Sequence, residues 1–276
     1  MKAVWIVAVK EFRDGLRNRW IVAITLIFCL LAVGLAYFGA AASGAVGFTS
    51  LPATIISLAS LGVIIIPLIA LLLAYDAIVG EDENGTLLLL LTYPLERGQL
   101  LLGKFLGHGG ILAASTVLGF GAAALVISLV SARAAWQEVA LAFAQFMVSA
   151  ILLGWVFVAF AYLISVFSNE KSRAAGLALL TWFGLVLVFD LLLLGILVIT
   201  EGQLQPALLP YLLLLNPADV FRLTNLSGAS AGNVYGGVLA MGQEVGFSVA
   251  TLLGVQLLWV IVPLVVAVQV FKRRKI

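Results

Sequence analysis

The sequence is poor in the side chains that do polar chemistry. It carries one cysteine (Cys29), one histidine (His108) and three methionines in 276 residues. A lone cysteine excludes an intramolecular disulfide framework. With no Cys/His cluster, no metal site is expected in the chain. Charge is equally scarce: 15 basic and 13 acidic residues make up 10% of the chain, against about 25% in a soluble domain. That deficit excludes an ordinary soluble enzyme. The net charge of +2 is small and the basic residues flank apolar runs, so no nucleic-acid partner is expected. No nucleophile, base and orienter fall into a readable set, so no catalytic residue and no cofactor are expected here.

Hydrocarbon is what the chain has. Apolar residues are 63% of it and the mean hydropathy is +1.20. Runs at 21–42, 53–79, 105–130, 139–167, 174–200 and 247–271 each suffice to cross the ~30 Å hydrocarbon layer of a bilayer. The fourth is long enough to imply tilt. The expected fold is an all-α integral membrane protein: a cytoplasmic interfacial helix at 1–20, then six transmembrane helices within 21–276. An N-in/C-in topology places 13 of the 15 basic residues inside, leaving Arg133 and Arg222 outside, as the positive-inside rule requires. The small residues at 40–43 resemble a cleavage site. The 22-residue run before them exceeds the ~7–15 of a signal-peptide core, so an uncleaved anchor is expected.

Three segments do not span. In 1–20, Trp5, Val9, Phe12 and Leu16 recur at helical spacing opposite Lys10, Arg13, Asp14 and Arg17. This pattern predicts a helix in the cytoplasmic interface, its basic face toward lipid headgroups. The loop at 80–104 holds Glu81, Asp82, Glu83, Asn84, Gly85 and Thr86, then five leucines (Leu87 to Leu91), then Pro94. Carboxylates favour a helix N-terminus and Pro94 ends a helix, so one short helix is predicted. An exposed leucine helix requires a cover, either a partner protein or the chain's own helix ends. The end of the loop, Gly98 to Phe105, nearly matches the phosphate-binding pattern G-x-x-x-x-G-K-[S/T]. Phe105 replaces the hydroxyl and leucines replace the cradle, so nucleotide binding is rejected. In the outer segment 201–246, residues 208–215 are too short to cross. Asn216 and Pro217 read as the cap and first residue of a helix carrying Asp219, Phe221 and Arg222. The segment reads equally as a docking platform or a packed loop.

Polar groups within spans are Asp76, Asp190 and His108. Asp190 lies deep in the fifth span with no obvious basic partner, and reads either as part of a path or as a structural group. His108, among Gly107, Gly109 and Gly110, reads as structural, with the glycines permitting close helix contact. Pro67 and Pro263 are candidate kinks in spans two and six.

Taken together, residues 10–20, the loop 81–104 and the six spans resemble ABC-2 type permeases over essentially the whole chain. Residues 75–86 and 216–223 are similar to the branch of that family that serves copper-site maturation of nitrous-oxide reductase. The resemblance implies a homodimer in the bacterial inner membrane. It implies a separate cytoplasmic ATPase, carrying ATP and Mg²⁺, seated on a coupling helix at 81–91 that includes Leu87 and Leu91. It also implies an elbow helix with Lys10, Glu11, Arg13 and Arg17. An extracytoplasmic β-helical partner would dock at 208–223, on Asn216, Pro217, Asp219, Phe221 and Arg222. Copper passage calls for thiolate, thioether or imidazole ligands. Their scarcity implies transmitted motion or passage of a sulfur species rather than copper. Two other readings remain at this stage: an ABC-2 exporter of a lipid or drug, and a stand-alone intramembrane scaffold or enzyme.

Overall fold

A computed structural model describes residues 2–17, 19–38, 50–130, 136–200, 208–226 and 247–274. The stretch 40–43 and much of the segment 201–246, read above, lie outside them. Among the described residues every regular element is a helix: α1 (Lys2–Arg17), α2 (Trp20–Phe38), α3 (Leu51–Ala74), α4 (Val79–Glu83), α5 (Thr86–Thr92), α6 (Arg97–Val130), α7 (Trp136–Phe167), α8 (Lys171–Phe183), α9 (Phe189–Ile199), α10 (Leu209–Leu213), α11 (Pro217–Leu226) and α12 (Val249–Arg273). Five residues of π-helix, Gly184–Val188, join α8 to α9. Six helical stretches are long and apolar enough to cross a membrane: Ile21–Phe38, Leu51–Glu83, Arg97–Leu129, Trp136–Phe167, Lys171–Ile199 and Val249–Arg273.

These stretches match the six expected spans. The third begins at Arg97 rather than at 105, so the loop lysine Lys104 lies a full turn inside a helix. Spans two and six run through Pro67 and Pro263 without interruption.

The core is built around α7, which packs against α3, α6, α11 and α12. Phe143, Phe146, Phe157 and Tyr162 of α7 are fully buried. A ladder of rings crosses the molecule: Phe28 stacks on Phe120 at 4.8 Å, Phe120 meets Phe146 edge-on at 4.9 Å, and Phe146 lies 5.9 Å from Phe221. Such pairs contribute roughly 0.5–1.5 kcal/mol each beyond area burial.

α1 packs on α6 through a face other than its Trp5/Leu16 stripe. Trp5 and Leu16 are exposed, and the buried residues are Ala8, Glu11 and Gly15. The reason is on α6, where a β-carbon at Gly103 would sit 2.6 Å from Val7 Cβ, and one at Gly107 would sit 2.4 Å from Glu11 Cβ. Only glycine lets the two helices approach so closely. Arg19, in a left-handed conformation (φ 58°), then turns the chain into α2.

Candidate functional site

A first cluster forms where α1, the 75–92 region and the ends of α6, α7 and α12 converge. The segment expected as one helix over 81–91 is two, α4 and α5. They are split at Asn84 and Gly85, the latter with φ 69°; a left-handed residue cannot continue a helix, and glycine adopts it without strain. α5 stops at Thr92 because Tyr93, preceding Pro94, is held extended.

The three carboxylates of α4 turn inward to different elements. Glu81 Oε1 lies 3.0 Å from Lys104 Nζ of α6. Asp82 Oδ2 lies 2.7 Å from Arg274 Nη2 beyond α12. Glu83 Oε1 accepts from the backbone N–H of Lys171 at the start of α8, at 2.6 Å. Asp76 meets Lys171 Nζ at 3.8 Å. Ser165 of α7 accepts the Ile78 and Val79 N–H groups at 3.0 Å each, satisfying backbone at the turn between α3 and α4. Thr86 donates to the Glu81 carbonyl at 3.1 Å and also to its carboxylate. The acidic cluster is therefore a set of internal ties rather than a free acidic surface.

Lys104 is the residue that sequence reasoning missed. It is 4% exposed, and its ammonium also touches Glu11 Oε1 at 3.1 Å. A buried lysine needs carboxylates on its ammonium, and here one comes from α1 and one from α4. His108 Nε2 stands 4.0 Å from Glu11 Oε2, while His108 Nδ1 and the Tyr162 hydroxyl share a 2.7 Å hydrogen bond. Burial pushes the Glu11 carboxyl up, but the charges of Lys104 and Lys10 outweigh it and hold Glu11 below its ordinary 4.5. Of the other elbow residues, Lys10, Arg13 and Arg17 are exposed. Lys10 Nζ is 3.1 Å from Glu11 and 3.2 Å from Asp14.

With its carboxylates engaged, the loop presents hydrocarbon. Leu87 is buried and Leu91 is half-buried, whereas Leu88, Leu89 and Tyr93 are 58%, 64% and 68% exposed. Beside them runs a groove of about 310 Å³ between α1 and α5, lined by Ile6, Val7, Leu90, Tyr93, Leu95 and Leu100.

A second cluster, around α11, corrects two expectations. Asp190 has a basic partner: Arg222 Nη1 bonds its carboxylate and lies 3.0 Å from Asp219 Oδ1. Asn216 donates to Asp219 Oδ2 at 2.9 Å and to the Leu185 carbonyl at 2.8 Å, meeting an acceptor in the π-helical segment. Its Oδ1 also accepts from the Ala218 N–H at 3.1 Å, capping α11. Asn216, Pro217, Asp219 and Phe221 are buried, and Arg222 is nearly so. Residues covered by the chain's own spans offer no surface, so the expected docking patch is a packed internal helix. Gln145 Nε2 donates to the Thr224 carbonyl at 2.9 Å, and Asn225 Nδ2 to Ser149 Oγ at 2.9 Å. Among the described residues 208–226, the exposed side chains are Leu208, Tyr211 and Leu215.

A single architecture thus joins an interfacial helix, a broken loop helix and six spans. Residues 5–276 match the family model described as ABC-2 family transporter protein. The chain is 59% identical over 274 residues to "Probable ABC transporter permease protein NosY" of Stutzerimonas stutzeri, covering 99% of each chain. It is 57% identical over 276 residues to the protein of the same name from Pseudomonas aeruginosa, covering all of both. The chain therefore belongs to the ABC-2 transporter family, as a multi-pass permease subunit of the bacterial inner membrane.

Proposed function

We propose that this permease works in the copper-site maturation of nitrous-oxide reductase, converting ATP hydrolysis on a separate cytoplasmic subunit into movement at the outer face. The observation that carries this reading is the full-length identity to two NosY permeases. The clustering of basic residues on the elbow, the 80–104 loop and the end of α12 supports an N-in/C-in orientation. In that orientation the exposed Leu88, Leu89 and Tyr93, with the adjoining groove, are the seat of a NosF-like ATPase that holds ATP and Mg²⁺. The exposed arginines of α1 meet lipid headgroups. A homodimer brings two loops to two ATPase copies. A NosD-like β-helical protein sits outside, on the surface that includes Leu208, Tyr211 and Leu215.

Copper itself is a poor cargo for this chain. The one imidazole is occupied by Tyr162 at Nδ1, and one cysteine and three methionines are the only sulfur ligands. Transmitted motion or passage of a sulfur species fits better. A strain lacking this chain tests the reading: its nitrous-oxide reductase is expected to lack copper and to regain it on complementation. Full copper loading without the chain would refute the proposed role. Failure of any ATPase to co-purify in mild detergent would refute the coupling seat.

A further inference from the structure

Spans four and six hold the buried outer helix, yet neither is adjacent in sequence to the coupling loop. α7 grips α11 through Gln145–Thr224 and Ser149–Asn225. α12 grips the segment before it, where Trp259 Nε1 donates to the Leu214 carbonyl at 3.1 Å. One side chain joins the ends of both these helices to the loop, beside the separate tie from Ser165 of α7 to the Val79 N–H. Arg274 spans all three, with Nη2 2.7 Å from Asp82 of α4 and Nη1 donating to the Val166 carbonyl of α7 at 3.0 Å, while the residue itself follows α12. The end of α12 is held from the other side by Arg97, the first residue of α6. Its Nη1 donates to the carbonyls of Phe271 (3.4 Å), Lys272 (3.5 Å) and Arg274. The covalent routes from the loop are different: one end enters α3 through the turn at 75–78, and the other continues directly into α6 at Arg97.

We infer that Arg274 is a positioning residue for energy coupling: it ties the coupling loop to spans four and six, and through them to the outer helix α11. The planar guanidinium suits the task, because its separate N–H groups reach a carboxylate and a carbonyl at once in fixed geometry. A lysine keeps the charge but not both contacts. The inference rests on the loop being the ATPase seat. It places the loop–span tie away from the exposed leucines, so ATPase binding and transmission are separable.

The test uses the assembled complex with its ATPase in nanodiscs, in a Cys29→Ala background. A fluorophore on Tyr211→Cys, beside the outer helix, reports the response to a non-hydrolysable ATP analogue. Arg274→Ala is expected to retain the bound ATPase but reduce the response by ~3-fold or more. Arg274→Lys is expected to fall between it and the parent. The charge swap Asp82→Arg with Arg274→Asp is expected to recover more response than either single change. An undiminished response in Arg274→Ala, a swap no better than the singles, or no response in the parent overturns the inference. Loss of ATPase from the parent complex instead overturns the reading of the coupling seat.

Discussion

Lys104 and Glu11 form a buried ion pair, Nζ to Oε1 3.1 Å, that fastens the interfacial helix to the third span. The same ammonium holds Glu81 at 3.0 Å. One cation thus joins α1 to α4 at the start of the 80–104 loop.

Replacing Lys104 by methionine leaves Glu11 without its strongest partner and faces two carboxylates toward each other. Removing one member of a buried pair costs about 3–5 kcal/mol. The expected outcome is a lower thermal midpoint in detergent and faster proteolysis within residues 2–17. Lys104→Met combined with Glu11→Gln should recover part of the loss, because no buried, unpaired carboxylate remains on α1. Equal protease resistance in Lys104→Met and parent would show that the pair does not fasten the elbow.

The elbow contact should also depend on pH in a defined direction. Glu11 sits below its ordinary 4.5, despite burial, because Lys104 and Lys10 are beside it. A depressed carboxyl contributes its stability above 4.5 and loses it as pH falls through the folded value. Lys10 is held above its ordinary 10.5, since Glu11 and Asp14 outweigh partial burial, so its contribution is lost only as pH rises through the folded value. Protease protection of α1 is therefore expected to stay level from about pH 6 to about pH 9 and to decline below about pH 4.5. A decline centred near neutral pH would contradict the assignment.

The six spans were legible because each is a continuous apolar run, a signal that survives without knowledge of packing. The sites were much less so. Lys104 and Glu11 are 93 positions apart, and Asp82 and Arg274 are 192 apart; only helix packing brings such residues together. Lys104 looked like a failed nucleotide motif because its neighbours Gly103 and Leu102 were read for phosphate rather than for helix contact. α11 was misread for the opposite reason. Its Asn216, Asp219, Arg222 and Asn225 make it look like a surface helix, but each finds a partner on another span or within α11, so it is buried. The lone Asp190 could have been matched to Arg222 by one rule: an intramembrane carboxylate needs a cation, and the outer half of the chain offers few.

Gly103 and Gly107 set how closely α1 approaches α6. Gly103→Ala puts a methyl 2.6 Å from Val7 Cβ and 2.8 Å from the Val4 carbonyl, neither of which is a movable side-chain end. Overpacking of this kind costs roughly 1–3 kcal/mol, and it should lengthen the Lys104–Glu11 contact. Gly121→Ala on the same helix meets nothing within 4 Å and serves as the control. The expected result is elbow release, read by proteolysis, in Gly103→Ala and Gly107→Ala but not in Gly121→Ala.

Leu88 and Leu89 are exposed and make no contact the fold depends on. Leu88→Asp with Leu89→Asp should leave the stability of the permease within about 0.5 kcal/mol of the parent, yet abolish co-purification of the ATPase. Reversal of the three α4 carboxylates should instead destabilise the permease itself, because each is tied to another helix. Retention of the ATPase by the double aspartate variant would move the seat elsewhere.

Arg222 serves two carboxylates, those of Asp190 and Asp219. Arg222→Ala leaves Asp219, 1% exposed, and Asp190 side by side without compensation. Fully buried Asp219 loses the most, and the cost is of order 3 kcal/mol; half-exposed Asp190 contributes less. Asp190→Asn removes the carboxylate closer to the surface and leaves Arg222 paired with Asp219, so it should be tolerated. Arg222→Lys keeps a positive charge but replaces a planar fork by a point, and should lie between them. If the cluster is a structural pin for α11, the order of thermal midpoints is parent, Asp190→Asn, Arg222→Lys, Arg222→Ala. The same order should hold for protection of Tyr211→Cys from a membrane-impermeant thiol reagent. A variant that keeps its midpoint but loses output at the outer face would instead give the pair a part in transmitting movement.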